Sequence, residues 1–260
     1  MKIALCNKKI TKSTIENRKK IIKNCFKKAS ENNVDIIIMP ESYLTGYNSG
    51  KKNSKFLNKE DSIFKELTDF AAKLDLSFII GFNEEEKHNY YISSYAFDVK
   101  EKKCYVSRKT HLGIKEKRLF KEGEEISVFK IGSIKVGVTF CHEIHIPEIF
   151  NRQSLKGAVI SFNISAAPSI CGNREDIWNI ILPTRGLDSR MNVTAVNYSK
   201  NNRYSLGAAA ADSEGNYIYE DYENDGLHIF EINLSKTIDI RNNKKKYYPK
   251  KLRWDLIEGE

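Results

Sequence analysis

Ile134-Lys135-Val136-Gly137-Val138-Thr139-Phe140-Cys141-His142-Glu143 is the stretch on which the reading of this chain turns. It is an apolar, strand-like run that stops at a thiol, with a turn and a helix-like segment beyond it. A cysteine at a strand's carboxyl end, facing a helix N-terminus, is where a protein lowers a thiol pKa and makes a nucleophile. The plainer alternative is a small buried hydrophobe, the usual state of free cysteine. Two other runs end in the same way. Val34-Asp35-Ile36-Ile37-Ile38-Met39 leads into Pro40-Glu41, and Cys104-Tyr105-Val106-Ser107-Arg108 leads into Lys109. An acid, an amine and a thiol, each at a strand end, form a catalytic set if the strands are neighbours.

Working outward from these runs, strand-like and helix-like segments alternate, which predicts the α/β class with helices layered on sheets. Lys2 to Cys6 reads as a short strand. Ser13-Thr14-Ile15-Glu16 reads as a capping box, with Ser13 as the cap. The helix it opens places Ile15, Ile22, Cys25, Phe26 and Ala29 on one face. A second amphipathic helix carries Ile63, Phe64, Leu67, Phe70, Ala71 and Leu74. Strands follow at Ser77 to Gly81 and Tyr90 to Asp98. Ser127 to Ile131 and Ser133 to Thr139 form a hairpin turning at Gly132. Pro147 to Leu155 suits a helix, Ala158 to Phe162 a buried strand, and Val193 to Asn197 another. Glu175 to Arg190 is helical, with a kink or a break expected at Pro183. Ala208 to Glu231 reads as hairpins, with turns at Ser213-Glu214-Gly215-Asn216 and Glu223-Asn224-Asp225-Gly226.

The chain has 260 residues, enough to bury a sizeable core. Its net charge of +9 comes from 43 basic and 34 acidic residues. The excess gathers around Arg18-Lys19-Lys20, around Lys27-Lys28 and in the tail from Arg241. A solvated face and a surface tail account for it. No stacking platform for bases accompanies it, so nucleic acid is not expected as a partner. Cys6, Cys25, Cys104, Cys141 and Cys171 are scattered without CxxC spacing, which argues against a disulfide framework and a zinc knuckle. No run is long enough for a membrane span, and the start does not read as a signal peptide. The reducing cytoplasm is the expected compartment.

Glu41 directly follows an apolar strand and a proline, where a carboxylate is costly unless paired or used. A helix cap or a salt bridge is the alternative to a catalytic role. Lys109 could equally be an exposed strand-end lysine. Together, however, the three have one coherent job. A carboxylate in a dry pocket can take the thiol proton. A fixed ammonium, with the peptide N–H of His142, can stabilise the oxyanion formed when the thiolate attacks a carbonyl. The protonated Glu41 can then return its proton to the leaving amine.

These segments resemble those of the carbon–nitrogen hydrolase, or nitrilase, superfamily. Met39-Pro40-Glu41 with Leu44-Thr45-Gly46-Tyr47 resembles the family's catalytic-glutamate segment, and Arg108-Lys109-Thr110-His111-Leu112 its lysine segment. Glu116, ahead of Phe120 and Gly123, resembles its second, supporting glutamate. Gly137 to Glu143 with Pro147-Glu148 resembles the nucleophile segment. Lys156-Gly157-Ala158, Leu182-Pro183-Thr184-Arg185 and Ala195-Val196-Asn197 match further landmarks. The resemblance spans nearly the whole chain. It implies a four-layer α-β-β-α sandwich over residues 1–240, a Glu-Lys-Cys triad, no cofactor and a homodimer or larger assembly. It also implies pairing through the helices after the nucleophile and Trp178, with the tail 241–260, including Tyr247-Tyr248-Pro249, wrapping onto the partner.

Two positions depart from the common pattern. His142-Glu143 stand where many amidases carry an aromatic residue and aspartate and nitrilases often carry Trp-Glu. Asn163-Ile164-Ser165-Ala166-Ala167 lacks the usual proline. His142, His145, Tyr47 and Ser165 are therefore the expected oxyanion and substrate-binding residues, together with the loop Ser169-Ile170-Cys171-Gly172-Asn173-Arg174. The expected substrate is a small linear amide or N-carbamoyl compound, with a nitrile as the alternative. A non-catalytic ligand-binding member of the fold would have no reason to keep all of Glu41, Lys109 and Cys141. A metal site is not expected, because His142-Glu143-Ile144-His145 is not HExxH.

Overall fold

The computed structural model describes residues 1–9, 14–47, 55–168, 173–199, 207–243, 247–251 and 253. Among them, twelve strands form two six-stranded sheets, and five α-helices accompany them. The first sheet is built from β1 (Lys2–Cys6), β2 (Ile36–Ile38), β3 (Ser77–Glu86), β4 (Asn89–Asp98), β5 (Lys103–Arg108) and β12 (Leu227–Glu231), in the order β12-β1-β2-β3-β4-β5. The second holds β6 (Val128–Ile131), β7 (Ile134–Phe140), β8 (Ile160–Ile164), β9 (Asn192–Val196), β10 (Ala208–Ala211) and β11 (Tyr217–Asp221), in the order β11-β10-β9-β8-β7-β6. Each has a parallel centre, β1-β2-β3 in one and β7-β8-β9 in the other, flanked by antiparallel strands.

The parallel pairs need crossovers, and helices supply them. α1 (Ile15–Glu31) and α2 (Ser62–Lys73) connect the first sheet, and α3 (Pro147–Leu155) and α4 (Arg174–Ser189) the second. Side-chain alternation then fixes the layers. Ile3, Leu5, Ile36, Ile38 and Ile79 point at Val136, Val138, Ile160, Phe162 and Ile164 across the inter-sheet core. Their sequence neighbours Ala4, Cys6, Ile37, Met39 and Phe78 pack instead against Ile22, Phe26, Phe64 and Leu67 of the helices. On the far side, Phe150, Trp178 and Leu182 cover Val193 and Ala195. Both faces of the central strands are buried, which is why those runs are continuously apolar. The result is the α-β-β-α sandwich.

Several details differ from the sequence reading. Thr14, rather than Ser13, is the cap seen: its Oγ1 accepts the Asn17 N–H at 3.2 Å. Ser13 itself lies outside the described residues. α4 is one continuous helix with Pro183 inside it, so the missing N–H costs a rung of the ladder but does not break it. The run from Ala208 to Glu231 is not two hairpins. β10 and β11 pair, but β12 crosses to the other sheet and lies antiparallel to β1. The turn at Glu223–Gly226 therefore bridges the two sheets, and periodicity alone cannot tell such a turn from a hairpin.

The chain end also differs. A fifth helix, α5 (Leu234–Asn242), runs across the expected boundary at residue 240. Its Arg241 bonds the Ser154 hydroxyl and carbonyl and the Ala158 carbonyl. Tyr247 and Pro249 are buried on their own chain, and the Tyr247 hydroxyl lies 2.8 Å from that of Ser154. Trp178 is fully buried in the same body, so it cannot itself touch a partner. Among the described residues no helix is long and apolar enough to cross a membrane.

Candidate active site

Glu41, Lys109 and Cys141 each follow the carboxyl end of a strand, β2, β5 and β7, and the two sheets bring those ends together. The seating of Glu41 depends on Gly81 of β3. A Cβ there would stand 2.4 Å from the Pro40 carbonyl and from the Ser42 nitrogen, so only glycine lets the Glu41 turn lie against the strand. Gly81 also binds that turn in both directions, donating to the Pro40 carbonyl at 3.2 Å and accepting from Leu44 at 3.0 Å. From the other sheet, Tyr198 beyond β9 donates its hydroxyl to the Glu41 carbonyl at 2.9 Å. Lys109 is fixed by its own backbone, which donates to Ile92 at 2.8 Å and accepts from Gly123 at 2.7 Å.

The Lys109 ammonium is buried between two carboxylates. It donates to Glu41 Oε1 at 2.9 Å and to Glu116 at 3.0 Å. Glu116 is held by the Gly113 N–H at 2.7 Å and by the Tyr47 hydroxyl at 2.8 Å. Burial opposes the Lys109 charge, but Glu41 and Glu116 outweigh it and raise its pKa. Burial likewise works to raise Glu116, yet Lys109 and the Gly113 N–H pull it below the ordinary carboxylate range. Glu41 resolves the other way. Burial pushes it up to about 7 despite Lys109, and the charge of Glu116 adds to the rise. Its second oxygen, Oε2, is buried and has no hydrogen-bond partner among the described residues.

Cys141 opens a 3-10 turn, Cys141–His145, with φ at +46°. For a residue with a Cβ that conformation costs about 1–3 kcal/mol and persists only where neighbours impose it. The residue keeps some access to solvent. The protein packed around it nonetheless makes ionisation costly and pushes the thiol up to about 12, with Glu41 adding to the rise. Lys109 and the Ala166 N–H act in the opposite direction without prevailing. The lowered thiol pKa expected from the strand-to-helix position is thus not found. A turn of five residues brings too little dipole to offset desolvation.

An acid, an ammonium, a second acid and a thiol converge at the strand ends, and the sequence match agrees with that grouping: residues 2–242 match the carbon-nitrogen hydrolase family. The chain belongs to the carbon-nitrogen hydrolase family. It is 27% identical over 173 residues to a probable nitrilase of Schizosaccharomyces pombe, covering 65% of this chain but only 62% of that protein's length. It is 22% identical over 231 residues to an (R)-stereoselective amidase of a Pseudomonas species, covering 87% of this chain and 82% of the amidase. In fold it superposes on an amidase from a Nesterenkonia species with a TM-score of 0.84 at 18% identity, covering 99% of this chain and 95% of that one.

Around the four central groups, the other expected residues divide. Tyr47 is in the site through Glu116. Ser165 lies beyond β8 and donates to Asn163 Oδ1 at 2.7 Å, and Asn163 in turn reaches the Cys141 carbonyl at 3.3 Å. Ser165 therefore backs the cysteine turn. His142 is half-buried, and burial and then Lys109 hold its imidazole below the usual pKa. His145 is exposed, and the charges that bear on it are Arg174 and Arg185 rather than Glu41 or Lys109. The structure does not bring it into the set, because the turn points it outward ahead of α3. Ser169 to Gly172, Cys171 included, lie outside the described residues; Asn173 is exposed and Arg174 buried.

Three contributors went unrecognised in the sequence. Tyr198 and Asn163 sit beyond or within second-sheet strands, and nothing local marks them. Glu143 was visible only as part of the segment that follows the cysteine, with no partner assigned to it. Its partners, Thr110 and His111, are 33 and 32 residues away, so no local signal ties them together. An acidic groove beyond Arg108, lined in part by Glu84, Glu86, Glu122 and Glu124, contains none of the central residues.

Proposed function

We propose that this chain is a cysteine-dependent hydrolase of non-peptide carbon–nitrogen bonds. Its substrate is a small linear amide or an N-carbamoyl compound, and it works through a thioester with release of ammonia or an amine. The observation that carries this reading is the Lys109 ammonium held by both Glu41 and Glu116, with Glu41 Oε2 left buried, without a hydrogen-bond partner among the described residues, and within electrostatic reach of Cys141. An orphaned buried acceptor is costly, and a thiol proton relieves it.

The steps follow from these positions. Glu41 takes the Cys141 proton as sulfur bonds to the carbonyl carbon, and the carbonyl electron pair moves onto oxygen. An ammonium has three protons. Two of those on Lys109 are committed to Glu41 and Glu116, and the third, with the His142 N–H, faces the oxyanion. The tetrahedral species collapses, the C–N bond breaks, and Glu41 hands its proton to the departing nitrogen. Water then repeats the sequence on the thioester. Glu41 takes a water proton as the water oxygen bonds to the carbonyl carbon, the C–S bond breaks as that tetrahedral species collapses to the acid, and Glu41 returns the proton to the thiolate. Glu116, held ionised by Lys109 and Tyr47, keeps the ammonium in line and orients the nitrogen and the water. No cofactor enters.

The amide preference over a nitrile draws on the Pseudomonas and Nesterenkonia amidases. A mutant of the latter has been captured with the acetamide moiety of fluoroacetamide on its active-site cysteine. The free thiols of Cys6, Cys25 and Cys104 suit a reducing compartment, so the cytoplasm is the proposed location, and a homodimer or larger assembly the proposed state. The deciding experiment is a panel of small amides, ureido acids and nitriles with ammonia detection, run on the wild type and on Cys141→Ala. Turnover confined to amides or ureido acids and absent from Cys141→Ala supports the reading. A nitrile-only response shifts the substrate class, and activity surviving in Cys141→Ala refutes the mechanism.

A further inference from the structure

Glu143 is 2% exposed and carries a carboxylate that takes no part in the steps above. Its bonds are unusual in where they come from. Oε1 accepts the Thr110 N–H at 2.7 Å, the Thr110 hydroxyl at 2.8 Å and the His111 N–H at 3.0 Å. Oε2 accepts the Phe140 N–H at 2.8 Å. Thr110 directly follows Lys109 at the end of the first sheet's β5. Phe140 directly precedes Cys141 at the end of the second sheet's β7. One carboxylate thus joins the chain on either side of the gap between ammonium and thiol.

The cysteine turn needs such a tie. Cys141 sits at φ +46°, a conformation that neighbours must impose. Asn163 holds its carbonyl from one side at 3.3 Å, and Glu143 holds the preceding N–H from the other. Burial works to raise the Glu143 pKa, but His111, the Thr110 hydroxyl, Lys109 and the Phe140 N–H outweigh it and keep it ionised. Bonds from several donors to one charged acceptor are short and directional, which suits a spacer between rigid parts.

We propose that Glu143 is a positioning residue that sets the register of Cys141 against Lys109 and Glu41 by bonding Thr110, His111 and Phe140 at once. The proposal rests on the reading of Cys141 as nucleophile. Glutamine offers one carbonyl oxygen in place of two carboxylate oxygens, so Glu143→Gln can satisfy the Thr110 cluster or the Phe140 N–H but not both. Thr110→Val is milder, because it removes only the hydroxyl donor and keeps both backbone bonds.

The test compares wild type, Glu143→Gln, Thr110→Val and the double variant, using the best substrate from the amide panel. Melting curves report folding, steady-state kinetics separate kcat from KM, and iodoacetamide alkylation of Cys141 is followed against pH. A displacement of reacting groups by about 1 Å costs on the order of a hundredfold, so folded Glu143→Gln should lose roughly 10- to 100-fold in kcat with KM nearly unchanged. Its Cys141 alkylation at neutral pH should slow with it. Thr110→Val should lose less, and the double variant should show less than the product of the two losses, because both act through one carboxylate. Wild-type kcat and alkylation in folded Glu143→Gln mean that the carboxylate only supports the fold, and overturn the proposal. If Glu143→Gln does not fold, wild-type kcat in Thr110→Val overturns it. Failure of the underlying reading registers separately, as turnover retained in Cys141→Ala, and removes the positioning role with it.

Discussion

At the residue scale, burial outweighs the pull of the paired ammonium at Glu41. Glu41 faces an ammonium at 2.9 Å and is still pushed up to about 7. A base with that pKa accepts a proton near neutrality and gives it back readily. The proposed mechanism requires its ionised form, so kcat/KM should rise with pH and level off above an apparent pKa near 7, read from initial rates of ammonia release. A rise centred near 4 to 5, the ordinary range of a glutamate, would show that Glu41 is not desolvated. Lys109 makes the converse case. Lys109→Ala removes the proposed oxyanion donor, for which a loss of about a hundred- to a thousandfold in rate is expected. It also leaves Glu41 and Glu116 buried without a counter-charge, which costs on the order of 3–5 kcal/mol. Kinetics and urea melts should therefore both suffer, and a variant impaired in neither would contradict the ion-pair geometry. Glu41, Lys109, Glu116 and Cys141 were all legible in the sequence, because chemistry-bearing residues at strand ends stand out and their segments resemble a known family. The thiol's raised pKa was not legible. It depends on desolvation by the protein packed around Cys141 and on the nearby charge of Glu41, and position along a strand carries no such information.

At the element scale, the site is set by where strands stop and by what lets them approach. Gly81 lets the Glu41 turn lie against β3, and the added Cβ of Gly81→Ala would stand 2.4 Å from the backbone on either side of Glu41. Either β3 or the turn must move. A stability loss of about 1–3 kcal/mol is expected from such overpacking, with a fall in turnover as Glu41 shifts from Lys109. Urea melts and ammonia release check both, and a fully active, equally stable Gly81→Ala would disprove the close fit. Apolar runs such as Ile36 to Ile38 announced buried strands because both their faces are covered. β12 was misread because its turn looks like a hairpin turn, and its pairing with β1 lies more than two hundred residues away in the chain. The continuity of α4 through Pro183 was equally hidden, because packing against β9 and β10 holds the helix together around the missing rung.

At the scale of the whole molecule, the basic tail is partly spent on the chain itself. Arg241 stacks over Tyr247 at 4.9 Å and Arg190 over Tyr248 at 4.5 Å, so these aromatics anchor the end of the chain to α3 and α4. What α4 offers a partner is different. Ile180 is 71% and Leu187 41% exposed, two turns apart and so on one face. If pairing runs through this helix, light scattering at micromolar concentration should give a dimer or a larger species, and Ile180→Asp should shift it toward monomer. A wild-type monomer, or an assembly indifferent to Ile180→Asp, would rule out α4 as the contact. The family resemblance implied Trp178 in this role, but the side chain is fully buried within its own chain.

The central claim is covalent catalysis by Cys141, and hydroxylamine trapping tests it most directly. Thioesters react faster with hydroxylamine than with water, so hydroxylamine added during turnover of an amide should divert product to a hydroxamate. Where deacylation limits the rate, it should also speed ammonia release. The account predicts hydroxamate from the wild type and none from Cys141→Ala. An amide turned over with no hydroxamate at saturating hydroxylamine, and no acyl adduct on Cys141 by intact-protein mass spectrometry, would contradict it.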